Sequence, residues 1–293
     1  MPVTSDENRA ALAQTLGRYR ERAAVPCLRG HFARVWVHRL PAAPAGRPIL
    51  VVPDGCVDLQ WFEGTLRIAG PDRGPQREMP RPGSTVVGLR FRAGAAASWL
   101  GVPACELVDR RVPLEAFWGA QARRIAEAAG ETRGLPALVE AIETALAPRA
   151  AATGPADPRM RAAFGLLRTG APTGGQTVRW LAGELGTAER TLRRRFHEAF
   201  GFGPKTLDGI LRFQRFLRLA RAGTGTLAAL AADAGYADQA HLARECRRFA
   251  TATPSEVAAA LAGEEDVAVP FKTPAPDRPS MRPDQKPDQK EEP

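Results

Sequence analysis

Arg190, Arg193, Arg194 and His197 fall at i, i+3, i+4 and i+7, so a helix through them lines three guanidiniums and an imidazole along one face. Arginine carries a planar fork of donors and no acceptor, which suits it to phosphate oxygens and to the paired O6 and N7 acceptors of guanine. Leu192 and Phe196, four apart on another face of the same helix, would form the seam that holds it against a neighbour.

The elements that must position this stripe are written twice. Val178, Leu181, Ala182, Leu185 and Gly186 recur 49 residues later as Leu227, Leu230, Ala231, Ala234 and Gly235. Each copy begins with the apolar spacing of a short helix with one buried face and ends on a glycine, which tolerates positive φ without steric cost. A second helix follows in each, with Leu242 and Cys246 standing in the later copy where Leu192 and Phe196 stand in the earlier one. Pro204 and Pro254 both lie eight residues after the second apolar seam residue, so the duplication continues past these helices. Pro204 suits the first turn of a long connecting helix carrying Leu207, Ile210, Leu211, Phe213, Leu217 and Leu219 towards Gly223. A basic helix seated on a small partner by an apolar seam meets the requirements of a helix-turn-helix entering the major groove.

Two such units joined by a helix resemble the DNA-binding domain of AraC-type transcription regulators. The stronger signature is in the second unit, Gly235-Tyr236-Ala237-Asp238-Gln239-Ala240-His241-Leu242-Ala243-Arg244, followed by Thr253-Pro254-Ser255-Glu256. Cys246 departs from the pattern, standing where the family usually has Phe, and serves as a small hydrophobe. The resemblance places groove-facing positions on Arg190, Arg193 and Arg194, with His197 on the same stripe, and on Gln239, His241, Ala243 and Arg244. Arg195, Arg247 and Arg248 flank these faces and are assigned to phosphate or to no contact. If the connecting helix holds the reading helices about 34 Å apart, one chain spans two consecutive major-groove segments.

The segment Tyr19 to Gly119 resembles the N-terminal module of one subgroup of these regulators. The matching runs are Pro53 to Leu59 (PDGCVDL), Ala69 to Pro71, Val86 to Ala96 and Val112 to Gly119. The resemblance implies a module that senses a ligand or mediates self-association. Expected partners are therefore double-stranded promoter DNA, a small-molecule effector, a second copy of the chain and RNA polymerase, with no cofactor and no metal.

Composition agrees. The chain has 293 residues, enough for two domains, and a net charge of +9, which favours an anionic partner. Cys27, Cys56, Cys105 and Cys246 show no C-x-x-C spacing, so neither a disulfide framework nor a zinc site is indicated and a reduced cytoplasm fits. The opening residues MPVTSDENRAALAQTL lack the apolar core of a signal peptide, and no window approaches a membrane span.

Taken in order, residues 5 to 24 read as a short polar helix capped by Ser5 or Asp6. From Cys27 the texture becomes strand-like, in the runs HFARVWVH, ILVVP, VDLQWFE, TLRIAG and STVVGLRF separated by Pro and Gly clusters. After Phe91, AGAAASWLG, PLEAFWGAQARRIAEAAG and LPALVEAIETALAP read as three helices. The expected fold is thus α+β: an N-terminal small antiparallel sheet or barrel with helices over residues 1–147, a Pro- and Ala-rich linker over 148–158, an all-α domain of two helix-turn-helix units over 159–263, opened by a helix from Arg159 to Arg168, and a disordered tail over 264–293.

Other reactive types need weighing. Cys56 invites a nucleophile reading, but no basic cluster adjoins it to make a thiolate, so it is expected to fill a sheet interior. His31 and His38 lack a recognisable metal-ligand spacing. Asp54 and Asp58 read as turn and strand-end residues, and Trp36, Trp61 and Trp118 as core, although aromatic residues in a small sheet domain would also line an effector pocket. The rival is an enzyme, a cupin-like metalloenzyme or a DNA-alkylation repair protein, that uses its helix-turn-helix for targeting.

Overall fold

The computed structural model describes residues 11–42, 48–172, 175–223 and 225–262. The expected Ser5 or Asp6 cap and the expected tail lie outside the described residues. Among the described residues there are nine strands: β1 (Ala11–Leu12), β2 (Arg18–Ala23), β3 (Phe32–Arg39), β4 (Ile49–Val51), β5 (Asp58–Phe62), β6 (Thr65–Ala69), β7 (Gln76–Glu78), β8 (Thr85–Phe91) and β9 (Arg111–Pro113). They form a six-stranded antiparallel sheet in the order β2-β3-β8-β5-β6-β9 and a three-stranded sheet in the order β1-β4-β7, in which β1 and β4 run parallel. Each strand-like run of the sequence becomes a strand. The polar helix expected before residue 24 does not form over the described part: Arg18–Ala23 pairs residue for residue with Ala33's neighbours from Arg34 to Arg39. A polar edge strand has no apolar period of its own, so its state is set by the strand beside it.

The large sheet has two different faces. Val35, Leu59, Leu66, Ile68, Val87 and Leu89 alternate to one side and join an apolar cluster with the helices α1 (Ala96–Leu100), α2 (Glu115–Trp118), α3 (Ala120–Gly130) and α4 (Leu135–Ala152). The stretch expected as one helix from Pro113 to Gly130 is broken at Gly119, where φ is +52°. Helix α4 carries through Pro148 to Ala152, so that only Thr153–Asp157 separates it from α5 (Pro158–Thr169). Glu143 on α4 ties the sheet edge down, accepting from Arg22 at 2.5 Å and from the Val25 amide at 3.2 Å.

The opposite face of the same sheet carries Trp36, His38, Asp58, Gln60, Arg67 and Arg90. Period-2 alternation puts these on one side because each sits one residue from an apolar core position. The small sheet lies over this face, contributing Ile49, Val51 and Glu78, and leaves a cavity of about 140 Å³ between the two sheets. Trp36 is paired in register with Gly88, and a Cβ on Gly88 would fall 2.1 Å from the indole. Only glycine lets that ring lie across its neighbouring strand.

The remaining helices are α6 (Thr177–Glu184), α7 (Glu189–Phe200), α8 (Pro204–Arg221), α9 (Leu227–Ala234), α10 (Gln239–Ala250) and α11 (Pro254–Ala262). Gly186 and Gly235 adopt φ of +56° and +90° at the two turns, as the repeat requires. Leu192, Phe196, Leu242 and Cys246 are fully buried, so both seams form. Leu12, Leu50 and Val52 belong to the same apolar cluster as the buried residues of α5 to α11. The small sheet is therefore packed on the helical domain and is not a separate appendage.

Candidate nucleic-acid interface and N-terminal cavity

Helix α7 has its apolar face fully committed to the core, which leaves Arg190, Arg193, Arg194 and His197 exposed together. Arg193 pairs with Glu189 at 3.1 Å and Arg194 with Glu198 at 2.7 Å, both i,i+4 contacts with each side chain about half exposed. Exposed pairs of this kind contribute only about 0.3–0.5 kcal/mol, so a phosphate or a base edge can displace the carboxylate. Arg195 turns the other way, towards Asp157 at the start of α5.

Helix α10 starts from a built cap. The Asp238 carboxylate accepts from the His241 amide at 2.6 Å, which fixes the first turn and leaves Gln239 exposed beside it. Arg244, Arg247 and Arg248 are exposed and Ala243 is half-buried. Arg248 lies over the Phe249 ring, 4.8 Å from its centroid. His241 is placed differently from the others: its ring meets Tyr236 edge-on at 5.1 Å, and Arg212 reaches its Nε2 at 3.5 Å. It is packed into the seam as much as it is presented to solvent.

The two units are held on α8 by polar contacts. Arg215 donates to the carbonyls of Leu167 and Arg168 at the end of α5 and to that of Ala234 at the end of α9. Its charge thus faces two helix C-termini, where the macrodipole and the unpaired carbonyls favour a cation. Arg212 pairs with Asp208 one turn earlier, and the Asp208 carboxylate also receives the Thr177 hydroxyl of α6 at 3.5 Å. The i,i+4 spacing of Asp208 and Arg212 was the available signal.

The segment before β5 joins the two halves. The Pro53 carbonyl accepts from Gln214 Nε2 on α8 at 2.7 Å, across 161 residues of chain. Gly55, at φ +75°, brings the backbone against Leu207 of α8, and a Cβ there would lie 2.7 Å from its Cδ1. The alternate residues of this segment, Asp54 and Cys56, line the cavity instead. Asp54 closes the turn by accepting from the Cys56 amide at 2.9 Å. Cys56 is thus a turn residue facing the cavity and does not fill the sheet interior as expected. Burial, with Asp54 nearby, pushes its thiol well above the usual range, which leaves it without the thiolate a nucleophile needs.

Inside the cavity the arginines and carboxylates form linked pairs. Arg90 bridges Asp54 at 2.7 Å and Asp58 at 3.1 Å. Arg111 bridges Asp72 at 2.8 Å and Glu78 at 3.0 Å, and Arg67 reaches Glu78 at 2.9 Å. Asp54 and Asp58 are turn and strand-end residues as read, but their ion pairs come from strands distant in sequence. Burial pushes the Asp72 carboxyl up to about 6 in spite of Arg111, while the two arginines beside Glu78 hold its carboxyl below the ordinary value. Trp36 lines the cavity and Trp118 is buried in the core against Arg149, whose guanidinium stands 4.2 Å from the ring centroid. Trp61 packs partly buried against the core cluster.

His31 and His38 do not meet as ligands: His31 Nε2 bonds the Ala150 carbonyl and His38 Nε2 that of Leu16. Among the described residues no group of three or more His, Cys, Asp or Glu is arranged to hold a metal ion. No described helix is long and apolar enough to cross a membrane.

Comparison with known proteins bears on both halves. Residues 181–260 match a family model described as a helix-turn-helix domain, and residues 20–113 match one described as a domain of unknown function, DUF6597. No curated protein matches the chain. Similar solved structures include apo ToxT from Vibrio cholerae, at 12% identity over 78% of this chain and 97% of that one, with a TM-score of 0.44. Another is ToxT bound to an unsaturated fatty acid, at 10% identity over 84% of this chain and 95% of that one, with a TM-score of 0.40. A third is the transcriptional regulator CdpR from Pseudomonas aeruginosa, at 19% identity over 61% and 47% of the two chains, with a TM-score of 0.30. The chain is thus an N-terminal antiparallel β-sheet module followed by an all-helical domain built from two helix-turn-helix units.

Proposed function

We propose that the protein is a sequence-specific DNA-binding transcription regulator of the AraC type, whose N-terminal module senses a small effector. The observation that carries this reading is the duplicated unit: two helices of like construction, α7 and α10, each bury one face and leave a basic face exposed, and both pack against α8. Arg190, Arg193, Arg194 and His197 on α7, and Gln239, His241, Ala243 and Arg244 on α10, are the base-reading positions, with Arg248 on phosphate. The sensing role is supported by the cavity and by the Pro53–Cys56 segment, which faces the cavity on one side and α8 on the other. A ligand that moves this segment would change how α8 is seated, and with it the relative placement of the reading helices.

Arg194→Ala and Arg248→Ala separate the roles. Loss of a bidentate base contact should cost about 1–3 kcal/mol at one base position and relax preference there. Loss of a phosphate contact should weaken all sites alike and reduce the salt slope by about 1. Titrations on a library of sites at two salt concentrations measure both. Equal losses across all sites for both variants would show that the division of roles is wrong.

A further inference from the structure

The cavity between the two sheets carries an uneven charge. Four carboxylates reach it, Asp54, Asp58, Asp72 and Glu78, against three guanidiniums, Arg67, Arg90 and Arg111. Every one of these guanidiniums already lies within 3.1 Å of a carboxylate oxygen. His38 adds no positive charge, since burial lowers its pKa from the ordinary value while its ring bonds the Leu16 carbonyl. The neighbouring Glu21 and Arg34 pair with each other at 3.7 Å. Among the described lining side chains the carboxylates outnumber the guanidiniums by one. An incoming anion would have to break a buried pair and strand a carboxylate, which is strongly unfavourable, whereas an incoming cation completes the count.

The cavity wall also has an aromatic part. Trp36 is only 8% exposed and lines the cavity, and its indole N–H, like those of Trp61, Trp99 and Trp118, has no acceptor among the described residues. A buried indole N–H ordinarily finds a partner, so an acceptor atom entering from the cavity would satisfy it. Tyr19 stacks on the same ring, with centroids 5.9 Å apart and planes 24° from parallel, and the two present an aromatic wall of the kind that attracts cations. The volume of about 140 Å³ suits a body near the size of a benzene ring. Asp54 is the most accessible of the four carboxylates, its side chain 22% exposed.

We propose that this cavity binds a small amphipathic cation, an ammonium on a short apolar or aromatic body that also offers one hydrogen-bond acceptor, with the ammonium at Asp54 and the acceptor at Trp36. This rests on the reading of the N-terminal module as a sensor, and it names the class of molecule sensed.

Calorimetric titration of the full-length protein, without DNA, with benzylamine, benzyl alcohol and benzoate varies the charge on one ring-sized body. Benzylamine should bind about tenfold or more tightly than benzyl alcohol, and benzoate should not bind. Asp54→Asn keeps the oxygen that accepts from the Cys56 amide while removing the charge, and should bring benzylamine down to the affinity of benzyl alcohol, with thermal unfolding recorded to show that the variant is folded. Preference for benzoate, equal binding of all three, saturation by none of them, or an Asp54→Asn protein that binds benzylamine as before would each overturn the proposal. The charge series on the unaltered protein decides the question even if the variant does not fold. Because no DNA is present, failure of the DNA-binding reading leaves this result standing, and failure here leaves that reading untouched.

Discussion

Gly55→Ala tests whether the loop before β5 is seated on α8 as described. Two costs are added at this position. A side chain at φ +75° sits in the left-handed region, which costs about 1–2 kcal/mol for an ordinary residue. The new Cβ would also stand 2.7 Å from Leu207 Cδ1, against an ordinary contact of 3.4–4 Å, and 3.9 Å from both Ile210 and Phe164. Leu207 is fully buried and cannot swing aside without moving its neighbours, so overpacking adds about 1–3 kcal/mol. The sum is a loss of about 2–5 kcal/mol. Gly64→Ala is the matched control: φ is +82° in the β5–β6 turn, and nothing lies within 4 Å of the added Cβ, so only the backbone cost of about 1–2 kcal/mol applies. Urea unfolding of the full-length variants gives both losses from the shift in midpoint at constant slope. If the two losses were equal, the contact between Gly55 and Leu207 would contribute nothing, and the proposed route from cavity to α8 would have no physical basis.

Three further outcomes are expected. Asp72 has its pKa raised from 3.8 to about 6 by burial, so the folded state binds the extra proton: the stability it contributes is fully present below about 3.8 and is lost as pH rises through 6. The size is on the order of 3 kcal/mol, and Asp72→Asn should flatten the unfolding free energy between those pH values, as urea titrations across that range would show. Cys27 and Cys105 are exposed, whereas Cys246 is buried with its thiol pushed up to about 12, and the half-buried Cys56 has its thiol pushed well above the usual range by desolvation. A colorimetric thiol reagent should therefore modify Cys27 and Cys105 rapidly in the native protein and reach Cys56 and Cys246 only on unfolding; rapid modification of Cys56 would contradict its placement. Asp238→Ala should destabilise by about 1 kcal/mol through loss of the α10 cap, read from thermal unfolding, while Asp238→Asn should recover most of it.

The helical half of the molecule was readable along the chain because its signals are local. An apolar stripe at helical spacing, a glycine at the turn and a proline at the first helical position each act within a few residues, and the 49-residue recurrence from Leu181 to Leu230 counts them twice. The strand runs were readable for the same reason, through β-branched content and turn residues. Arg18–Ala23 is polar on both sides of its alternation and carries no strand signal of its own, so only pairing with β3 makes it a strand.

Neither the cavity nor the seat of α8 could be found this way. Asp58 and Arg90 stand opposite each other across strands 32 residues apart, and Gln214 meets Pro53 across 161. Charge in a strand such as VDLQW or VVGLRF looks, in one dimension, like a solvent-facing position; a second sheet closing over it turns the same alternation into a buried ionic lining. Periodicity decides which side of an element each residue occupies, and it acts through the backbone geometry of that element alone. What lies against that side depends on contacts between distant segments, whose free energy exists only once the chain has closed the loops between them.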